Sequence, residues 1–391
     1  MKKIRIAGPP GTGKTTKLVE IYYTHLEEYS PTDIIVMSHT NTASEHIRGE
    51  ILKDKNIANF QKQTGKEIFH LVKQSKATLE ENVTTVHKFC KNRVEGKAFL
   101  IDDYEILTNL YPIFDKYTSN RKFNSVQGLF AVHPFFRFMS FARDNGKEVL
   151  EYYRSIGFDE REDYEYTPEE LIEMSYHYIK FKNNEKINGR TKKILDFQDM
   201  VEDFYTNPKE SETKCRDIKV LIVDEAQDSS VIQRKAEEVM SKNVDYFYKA
   251  GDPDQAIFEF AGADPDSFHK EFANPEIELK QGYRCPRVIN DYCKKIIHDI
   301  WQEYEYTRVW KPREEKGQVI EGELFYLSSL TQDPFASELK NRILNTDENF
   351  IFTYRGGEPR DMINYIMQIG IPVKIPNKEK SKFKFKYPTN D

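Results

Sequence analysis

One segment near the start of the chain, Gly8-Pro9-Pro10-Gly11-Thr12-Gly13-Lys14-Thr15, constrains the fold more than any other part of the sequence. It matches the phosphate-binding pattern G-x-x-x-x-G-K-[ST]. A short apolar stretch, Ile4–Ala7, precedes it, and a stretch with helical character follows it to about Tyr29. In this context the pattern predicts a P-loop, because the backbone N–H groups of a glycine-rich turn and a helix N-terminus together bind phosphates.

The residue types in the loop suit a nucleoside triphosphate. Lys14 is expected to reach the β- and γ-phosphates, and the Thr15 hydroxyl is expected to ligate Mg²⁺. The residues of this segment that we expect to bind ATP are Pro10, Gly11, Thr12, Gly13, Lys14, Thr15 and Thr16.

A P-loop enzyme needs an acidic partner at the end of another buried strand, and the sequence contains one. Val220–Val223 is an apolar strand candidate that is followed directly by Asp224 and Glu225. We expect Asp224 to belong to the Mg²⁺ shell and Glu225 to polarise the attacking water. Together with the loop, this pair predicts ATP hydrolysis.

Short apolar strands alternate with helices elsewhere in the chain, at Ile34–Met37, Val220–Val223 and Tyr246–Tyr248. This alternation is typical of a parallel sheet covered on both faces. Between about Lys91 and Lys193 it gives way to an aromatic, charged and mostly helix-compatible stretch, which predicts a helical insertion. The alternation of strands and helices resumes over residues 324–375.

Composition excludes several classes of protein. No window reaches the ~18 apolar residues of a membrane span, and Met1-Lys2-Lys3 leads into a strand rather than a signal peptide. The four cysteines show no CxxC spacing, which argues against a disulfide scaffold and a zinc site. We therefore expect reduced thiols in a cytoplasm, or a host-cell cytoplasm if the chain is viral.

The net charge of −6 does not by itself indicate nucleic-acid binding. However, eight acidic residues and one arginine between Gly157 and Glu173 contribute −7, which leaves +1 for the remainder. A basic groove therefore remains compatible with the composition.

The residues that follow the predicted strand Val220–Val223 resemble a motif of a known family. Asp224-Glu225-Ala226-Gln227-Asp228 resembles motif II of the UvrD/Rep-like branch of superfamily 1 DNA helicases. Other segments resemble further motifs of that family in the same order: Met37–Ala43 motif Ia, Thr84–Cys90 the next DNA-contacting motif, Leu195–Met200 the L-D-F-x-D-L element, Gly251–Phe258 motif III and Gln281–Arg284 motif IV.

The resemblance implies an α/β fold, a P-loop NTPase with a RecA-like parallel sheet. Residues 1–90 and 194–279 would form the ATP-binding lobe, 91–193 its helical insertion, and 280–391 a partial second RecA-like lobe. The resemblance also implies that Gln255 senses the γ-phosphate, that Tyr283 stacks on adenine and that Arg284 acts as an arginine finger. The expected catalytic set is Lys14, Asp224, Glu225, Gln255 and Arg284.

Single-stranded DNA requires stacking platforms and phosphate donors. By position in the family, His39, Phe258 and Phe260 are candidates for stacking on bases. Thr40, Thr85 and His87 are candidates for donating hydrogen bonds to phosphates. The alternatives are that the aromatic residues belong to the core and that His87 is an ordinary histidine at a helix start.

The chain departs from the family pattern in three places. Only seven residues precede Gly8 and none is glutamine, so the adenine-contacting Gln motif is missing and relaxed nucleotide preference is expected. Phe260-Ala261 replaces the Trp-Arg pair of motif III, which weakens the expected coupling to DNA. Before Asp391 we find neither T-x-H-x-x-K-G nor the motif with the second arginine finger. A truncated protein, a separate second chain or a reduced relative would each explain this.

The sequence thus predicts an ATP-dependent helicase or translocase of the UvrD/Rep type that uses ATP and Mg²⁺. Taken alone, the chain is expected to be an ATPase at best and not to unwind duplex DNA. The expected partner is single-stranded DNA, with a missing C-terminal half or a replication or repair protein as further candidates and no membrane. The alternative is an ATP-switched module that binds single-stranded DNA or regulates a partner without motor activity.

Overall fold

A computed structural model describes most of the first 322 residues of the chain. The described residues are 1–93, 99–100, 134–157, 166–184, 186–187, 190–191, 194–256, 259, 262–300 and 309–322. They belong to a compact unit that spans Met1–Gly322, and Glu323–Asp391 form a second unit. The elements predicted over residues 324–375, and the stacking candidates Phe258 and Phe260, lie outside the described residues.

The strands are short and lie mainly where the apolar stretches occur. They are β1 Lys2–Ala7, β2 Ile34–Ser38, β3 Val83–Thr85, β4 Phe99–Leu100, β5 Lys186–Ile187, β6 Arg190–Thr191, β7 Ile194–Leu195, β8 Val220–Val223, β9 Tyr246–Gly251, β10 Ile277–Glu278, β11 Glu314–Glu315 and β12 Gln318–Val319. Six of them form one sheet in the order β10-β1-β9-β8-β2-β3. All of its pairings are parallel, which confirms the predicted parallel sheet.

The helices lie between these strands along the chain. They are α1 Lys14–His25, α2 Asn41–Leu52, α3 Asp54–Thr64, α4 Phe69–Gln74, α5 Lys76–Asn82, α6 Val86–Arg93, α7 Pro134–Asp144, α8 Val149–Ser155, α9 Pro168–Asn184, α10 Phe197–Thr206, α11 Pro208–Lys214, α12 Val231–Ser241, α13 Pro265–Glu271 and α14 Arg287–Ile300. Short 3₁₀ turns occupy Pro31–Asp33, Ala226–Asp228 and Pro253–Gln255. Helix α1 ends at His25, four residues before the predicted end.

Both faces of the sheet are buried, and the strand sequence explains why. Successive side chains of a strand point to opposite faces. In β2, Ile34 and Val36 enter a core that includes residues of α1 to α5, whereas Ile35 and Met37 enter a core that includes residues of α6, α10, α12 and α13. An uninterrupted apolar strand is therefore required here, as in other parallel sheets.

The described part of the chain between β4 and β7 is mainly helical. Its helices α7, α8 and α9 contribute to a separate hydrophobic cluster that includes Phe135, Phe138, Tyr152 and Tyr178. The same stretch of chain contains two short strand pairs. Strand β4 pairs with β7 in parallel, and β5 pairs with β6 antiparallel. Within the described residues, no helix combines the length and the apolar character needed to cross a bilayer. The four cysteines are all free thiols.

Candidate active site

The P-loop lies at the carboxyl end of β1, where the chain turns into α1. Gly11 and Gly13 have φ angles of +71° and +87°, which residues with a Cβ rarely adopt. Thr12 stabilises the turn, because its hydroxyl donates to the Pro9 carbonyl over 2.7 Å. Gly13 is the N-cap of α1 and has no capping side chain, so the first N–H groups of the helix have no side-chain acceptor at the N-cap. Such a helix start is suited to an anion.

Lys14 connects the loop with the end of β8. Its side chain is buried, and its Nζ donates to the carbonyl of Gly8 over 2.9 Å. The same Nζ lies 4.0 Å from Glu225 Oε2. This proximity follows from the sheet order, since only β9 separates β1 from β8 and all three strands end at the same edge. The structure thus brings the lysine of the loop and the predicted acidic pair together.

Asp224 is the first residue after β8 and is 5% exposed. Its Oδ1 accepts a hydrogen bond from the backbone N–H of Glu225 over 3.0 Å. Burial, together with the nearby charge of Glu225, raises the pKa of Asp224 to about 7, although Lys14 acts in the opposite direction. A cation bound at this carboxylate would offset the cost of burying its charge.

The donor atoms here fit magnesium. Thr15, in the first turn of α1, supplies a hydroxyl and Asp224 a carboxylate, and oxygen ligands of this kind are those that Mg²⁺ prefers. Within the described residues, no group of three or more His, Cys, Asp or Glu side chains forms a metal cage. Mg²⁺ at a nucleotide takes most of its ligands from phosphates and water, so one carboxylate and one hydroxyl suffice.

Glu225 has a backbone conformation that is uncommon for its type. Its φ is +50°, in the left-handed region, which costs a non-glycine residue on the order of 1 kcal/mol. Its side chain remains 37% exposed. A strained residue with an accessible acidic group beside a phosphate loop is a candidate for chemistry.

Gln255 lies in the 3₁₀ turn that follows β9. Its Nε2 donates to Asp252 Oδ2 over 2.5 Å, and Asp252 is fully buried. The turn begins at the carboxyl end of a strand between β1 and β8, so the amide lies at the edge of the sheet that carries the P-loop.

Tyr283 and Arg284 contact the P-loop directly. The backbone N–H of Tyr283 donates to the Gly11 carbonyl over 2.8 Å. A Cβ placed on Gly11 would lie 2.5 Å from the Cβ of Arg284, so only glycine allows this approach. The ring of Tyr283 lies near Gly13 and is 69% exposed. The structure therefore brings the motif IV pair, about 270 residues away in sequence, onto the phosphate loop.

The candidate DNA contacts that the structure describes lie at the ends of β2 and β3. These strands are parallel neighbours in which Ser38 pairs with Thr85, so His39 and His87 follow strand ends that lie side by side. Both histidines line one small cavity together with Asp224. Thr40 is the N-cap of α2, where its hydroxyl accepts from the Ala43 N–H over 3.1 Å.

Thr85 and His87 have ordinary structural contacts as well. Thr85 is buried, and its hydroxyl accepts from the Lys88 N–H over 3.3 Å. His87 Nδ1 lies 3.5 Å from Gln233 Nε2, and burial, followed by the nearby His39, lowers the pKa of His87 to about 4. These contacts favour the interpretation of His87 as a neutral histidine at a helix start, and a neutral imidazole carries one N–H that can donate to a phosphate.

A second polar cluster, which we call the junction cluster, joins helices α7 and α9 to α10 and to Asp196, the residue that precedes it. It comprises Tyr178, Lys182, Arg143, Asp196, Asp199 and Glu202. A single oxygen of Asp196, Oδ2, accepts three hydrogen bonds. They come from Arg143 Nη1 over 2.6 Å, from Lys182 Nζ over 2.7 Å and from the Tyr178 hydroxyl over 2.8 Å. Asp196 and Asp199 are the acidic residues of the predicted L-D-F-x-D-L element.

The sequence did not reveal the hydrogen-bond partners within the junction cluster or within the candidate active site. Arg143 and Lys182 carry no local signal, because their acceptors lie 53 and 14 residues further along the chain. Gln227 and Asp252 were within recognised motifs, but nothing in the sequence showed that the Asp252 N–H donates to Gln227 Oε1 over 3.2 Å.

Comparison with known proteins agrees with this geometry. The family model of the UvrD/REP helicase N-terminal domain matches residues 1–274. A probable DNA helicase II homolog of Mycoplasma capricolum is 22% identical over 321 residues, which cover 76% of this chain and 39% of the relative. The ATP-dependent DNA helicase Rep of Buchnera aphidicola from Acyrthosiphon pisum is 22% identical over 404 aligned positions, covering 95% of this chain and 55% of that protein.

A third relative has the same helicase name as the first. The probable DNA helicase II homolog of Mycoplasma pneumoniae is 24% identical over 309 residues, which cover 74% of this chain and 39% of that protein. The chain thus spans between about two fifths and just over half of the three relatives. Because the family match covers well over half of its residues, and the sheet and loop agree with it, this chain belongs to the UvrD/REP helicase family.

Proposed function

We propose that this chain carries the ATP-hydrolysing part of a UvrD/Rep-type DNA helicase or translocase, in which hydrolysis is coupled to movement on single-stranded DNA. The observation that carries the proposal is the convergence on one phosphate loop of Lys14, the Asp224–Glu225 pair and the Tyr283–Arg284 pair. P-loop ATPases combine a lysine, acidic residues and an arginine finger of this kind.

Each residue has a defined part in the proposed reaction. Lys14 binds the β- and γ-phosphates, and Glu225 accepts a proton from the attacking water. Gln255 donates its amide N–H to the γ-phosphate, and Arg284 stabilises the charge that develops there. Tyr283 stacks on the base. Thr15 and Asp224 would hold Mg²⁺, which would supply positive charge to neutralise the phosphates.

Single-stranded DNA is the proposed track, along the edge formed by the ends of β2 and β3. His39, Thr40, Thr85 and His87 are its proposed contacts in the described part of the chain, with Phe258 and Phe260 as further stacking residues. This edge is adjacent to β8, the strand that leads into Asp224 and Glu225. DNA binding and ATP chemistry would therefore act on neighbouring strand ends.

The domain assignment belongs to the same proposal. Residues 1–90 and 194–279 form the ATP-binding lobe, 91–193 the insertion and 280–391 a partial second lobe. For the 391-residue chain by itself we propose slow hydrolysis without duplex unwinding, since its sequence contains neither the motif with the second arginine finger nor a T-x-H-x-x-K-G segment.

The test measures steady-state ATP hydrolysis of the 391-residue protein with and without oligo(dT). The motor proposal expects stimulation by the oligonucleotide. A rate that single-stranded DNA leaves unchanged would contradict it. In that case, oligo(dT) binding that depends on a non-hydrolysable ATP analogue would support the ATP-switched binding module instead. Unwinding of a tailed duplex by this protein would overturn the limit placed on the isolated chain.

A further inference from the structure

The side chain of Gln227, the fourth residue of the D-E-A-Q-D segment, uses both ends of its amide. Its Nε2 donates to Glu225 Oε2 over 3.0 Å and lies 3.3 Å from Asp228 Oδ2. Its Oε1 accepts from the backbone N–H of Asp252 over 3.2 Å. The orientation is unambiguous, because a backbone N–H can only donate and a carboxylate can only accept.

Packing holds this amide in place. Gln227 is 3% exposed. A Cβ placed on Gly251, the last residue of β9, would lie 2.7 Å from Gln227 Oε1 and 2.6 Å from the Cζ of Phe268. The amide oxygen and the ring of Phe268 therefore both pack against the end of β9. Close packing around a side chain as buried as Gln227 restricts its rotation away from Glu225.

The same amide connects two residues that the proposed function assigns to catalysis. Asp252 Oδ2 accepts a hydrogen bond from Gln255 Nε2, and the backbone N–H of Asp252 donates to Gln227 Oε1. A continuous series of hydrogen bonds thus runs from Glu225 through Gln227 and Asp252 to Gln255. It joins the residue proposed to accept the proton of water to the residue proposed to sense the γ-phosphate.

We propose that Gln227 is a positioning residue that holds the carboxylate of Glu225 and sets its distance from Gln255. This inference rests on the proposed ATPase function and deepens it. Only an amide of this length has the required donor and acceptor. An ionised glutamate cannot donate and would add a third carboxylate beside Glu225 and Asp228, whereas methionine has the length but no N–H donor.

The experiment compares Gln227→Met and Gln227→Glu with the parent protein in ATP hydrolysis, and measures binding of a fluorescent non-hydrolysable ATP analogue. A misplaced catalytic group costs on the order of 10²-fold in rate, so we expect kcat to fall by about that factor. The KM for ATP and the affinity for the analogue should change by less than about three-fold, because Lys14 and the loop are untouched.

Gln198→Met is the matched control. Gln198 is also buried, and it donates to Ser140 and Asp144 in α7, away from the P-loop. Its substitution should leave kcat and KM for ATP within about two-fold. The split between kcat and KM separates positioning from a general structural effect.

The outcomes are distinct. If the parent protein hydrolyses ATP and Gln227→Met keeps its kcat within about two-fold, the inference on Gln227 is wrong. It is also wrong if both Gln227 variants lose the analogue, since Gln227 would then support the fold of the site. If the parent protein itself shows no hydrolysis with or without oligo(dT), the proposed function fails instead.

Discussion

Two buried aspartates of this chain, Asp224 in the candidate active site and Asp196 in the junction cluster, differ in how their charge is compensated. Both are at most 5% exposed. Burial raises the pKa of Asp224 to about 7. Burial acts on Asp196 in the same direction, but Lys182 and Arg143 outweigh it and hold its pKa at about 2.

The difference lies in the nearest cations. Lys182 and Arg143 bond Asp196 directly, whereas Lys14 bonds a backbone carbonyl and stays 4.0 Å from Glu225. A cluster of this kind, in which cations bond buried carboxylates directly, holds together the helices that contribute its residues. Carboxylates whose negative charge is only partly offset by neighbouring cations are typical of sites that act on a ligand. Changes in the two regions should therefore have different consequences, and three experiments test this.

The largest expected effect is on activity, from Lys14→Ala. Removing the cation of the loop should lower the rate of ATP hydrolysis on the order of 10³-fold, because the lysine acts on the charge that develops in the reaction. The melting temperature should change little. Lys17→Ala, on the same helix and in a surface pair with Glu20, is the control and should retain activity. If Lys14→Ala retained ATP hydrolysis, the assignment of the candidate active site to ATP hydrolysis would be wrong.

The next effect is on stability, from Arg143→Ala. Arg143 bonds Asp196, Asp199 and Glu202, so its removal leaves buried carboxylates with less compensation. Breaking a buried ion pair in this way costs about 3–5 kcal/mol of unfolding free energy, which urea titration measures.

The control for this experiment is on the same helix. Arg137 is exposed on α7, and Arg137→Ala should stay within about 0.5 kcal/mol of the parent protein. A loss in Arg143→Ala no larger than in this control would show that the junction cluster does not hold α7 and α9 against α10.

The smallest effect concerns Asp144, an exception within the junction region. Burial raises its pKa to about 7 from an ordinary 3.8, although the Gln198 amide and Arg143 oppose this. Between these values the folded state keeps a proton that the unfolded state has released, so the free energy of unfolding falls as pH rises from about 4 to 7. Asp144→Asn removes this cost and should stabilise the protein at pH 8 by roughly 2–4 kcal/mol.

The measurement is the difference in unfolding free energy between Asp144→Asn and the parent protein from about pH 4.5 to about pH 8. The difference should shrink as the pH falls, because the protonated aspartate and the asparagine are both uncharged. A difference that does not vary with pH would contradict the burial argument for Asp144.

Much of the fold was predictable because its signals are local. The P-loop, strand β8 and the alternation of strands and helices depend on hydrogen bonds and side-chain patterns within about ten residues. The uninterrupted apolar strands predicted a sheet buried on both faces, and the two cores around β2 agree with it. The end of α1 was placed four residues too late, as helix ends depend on the turn that follows.

The candidate site was predictable only in part. The sequence by itself determined which residues form the glycine-rich loop and which carboxylates follow a buried strand, since each motif contains its own turn and charges. Only the tertiary structure decided that Arg143 pairs with Asp196, that Gln227 donates a hydrogen bond to Glu225, and that Arg284 lies against Gly11. These contacts join segments through side-chain lengths and directions, which depend on how whole elements pack and leave no local pattern in the chain.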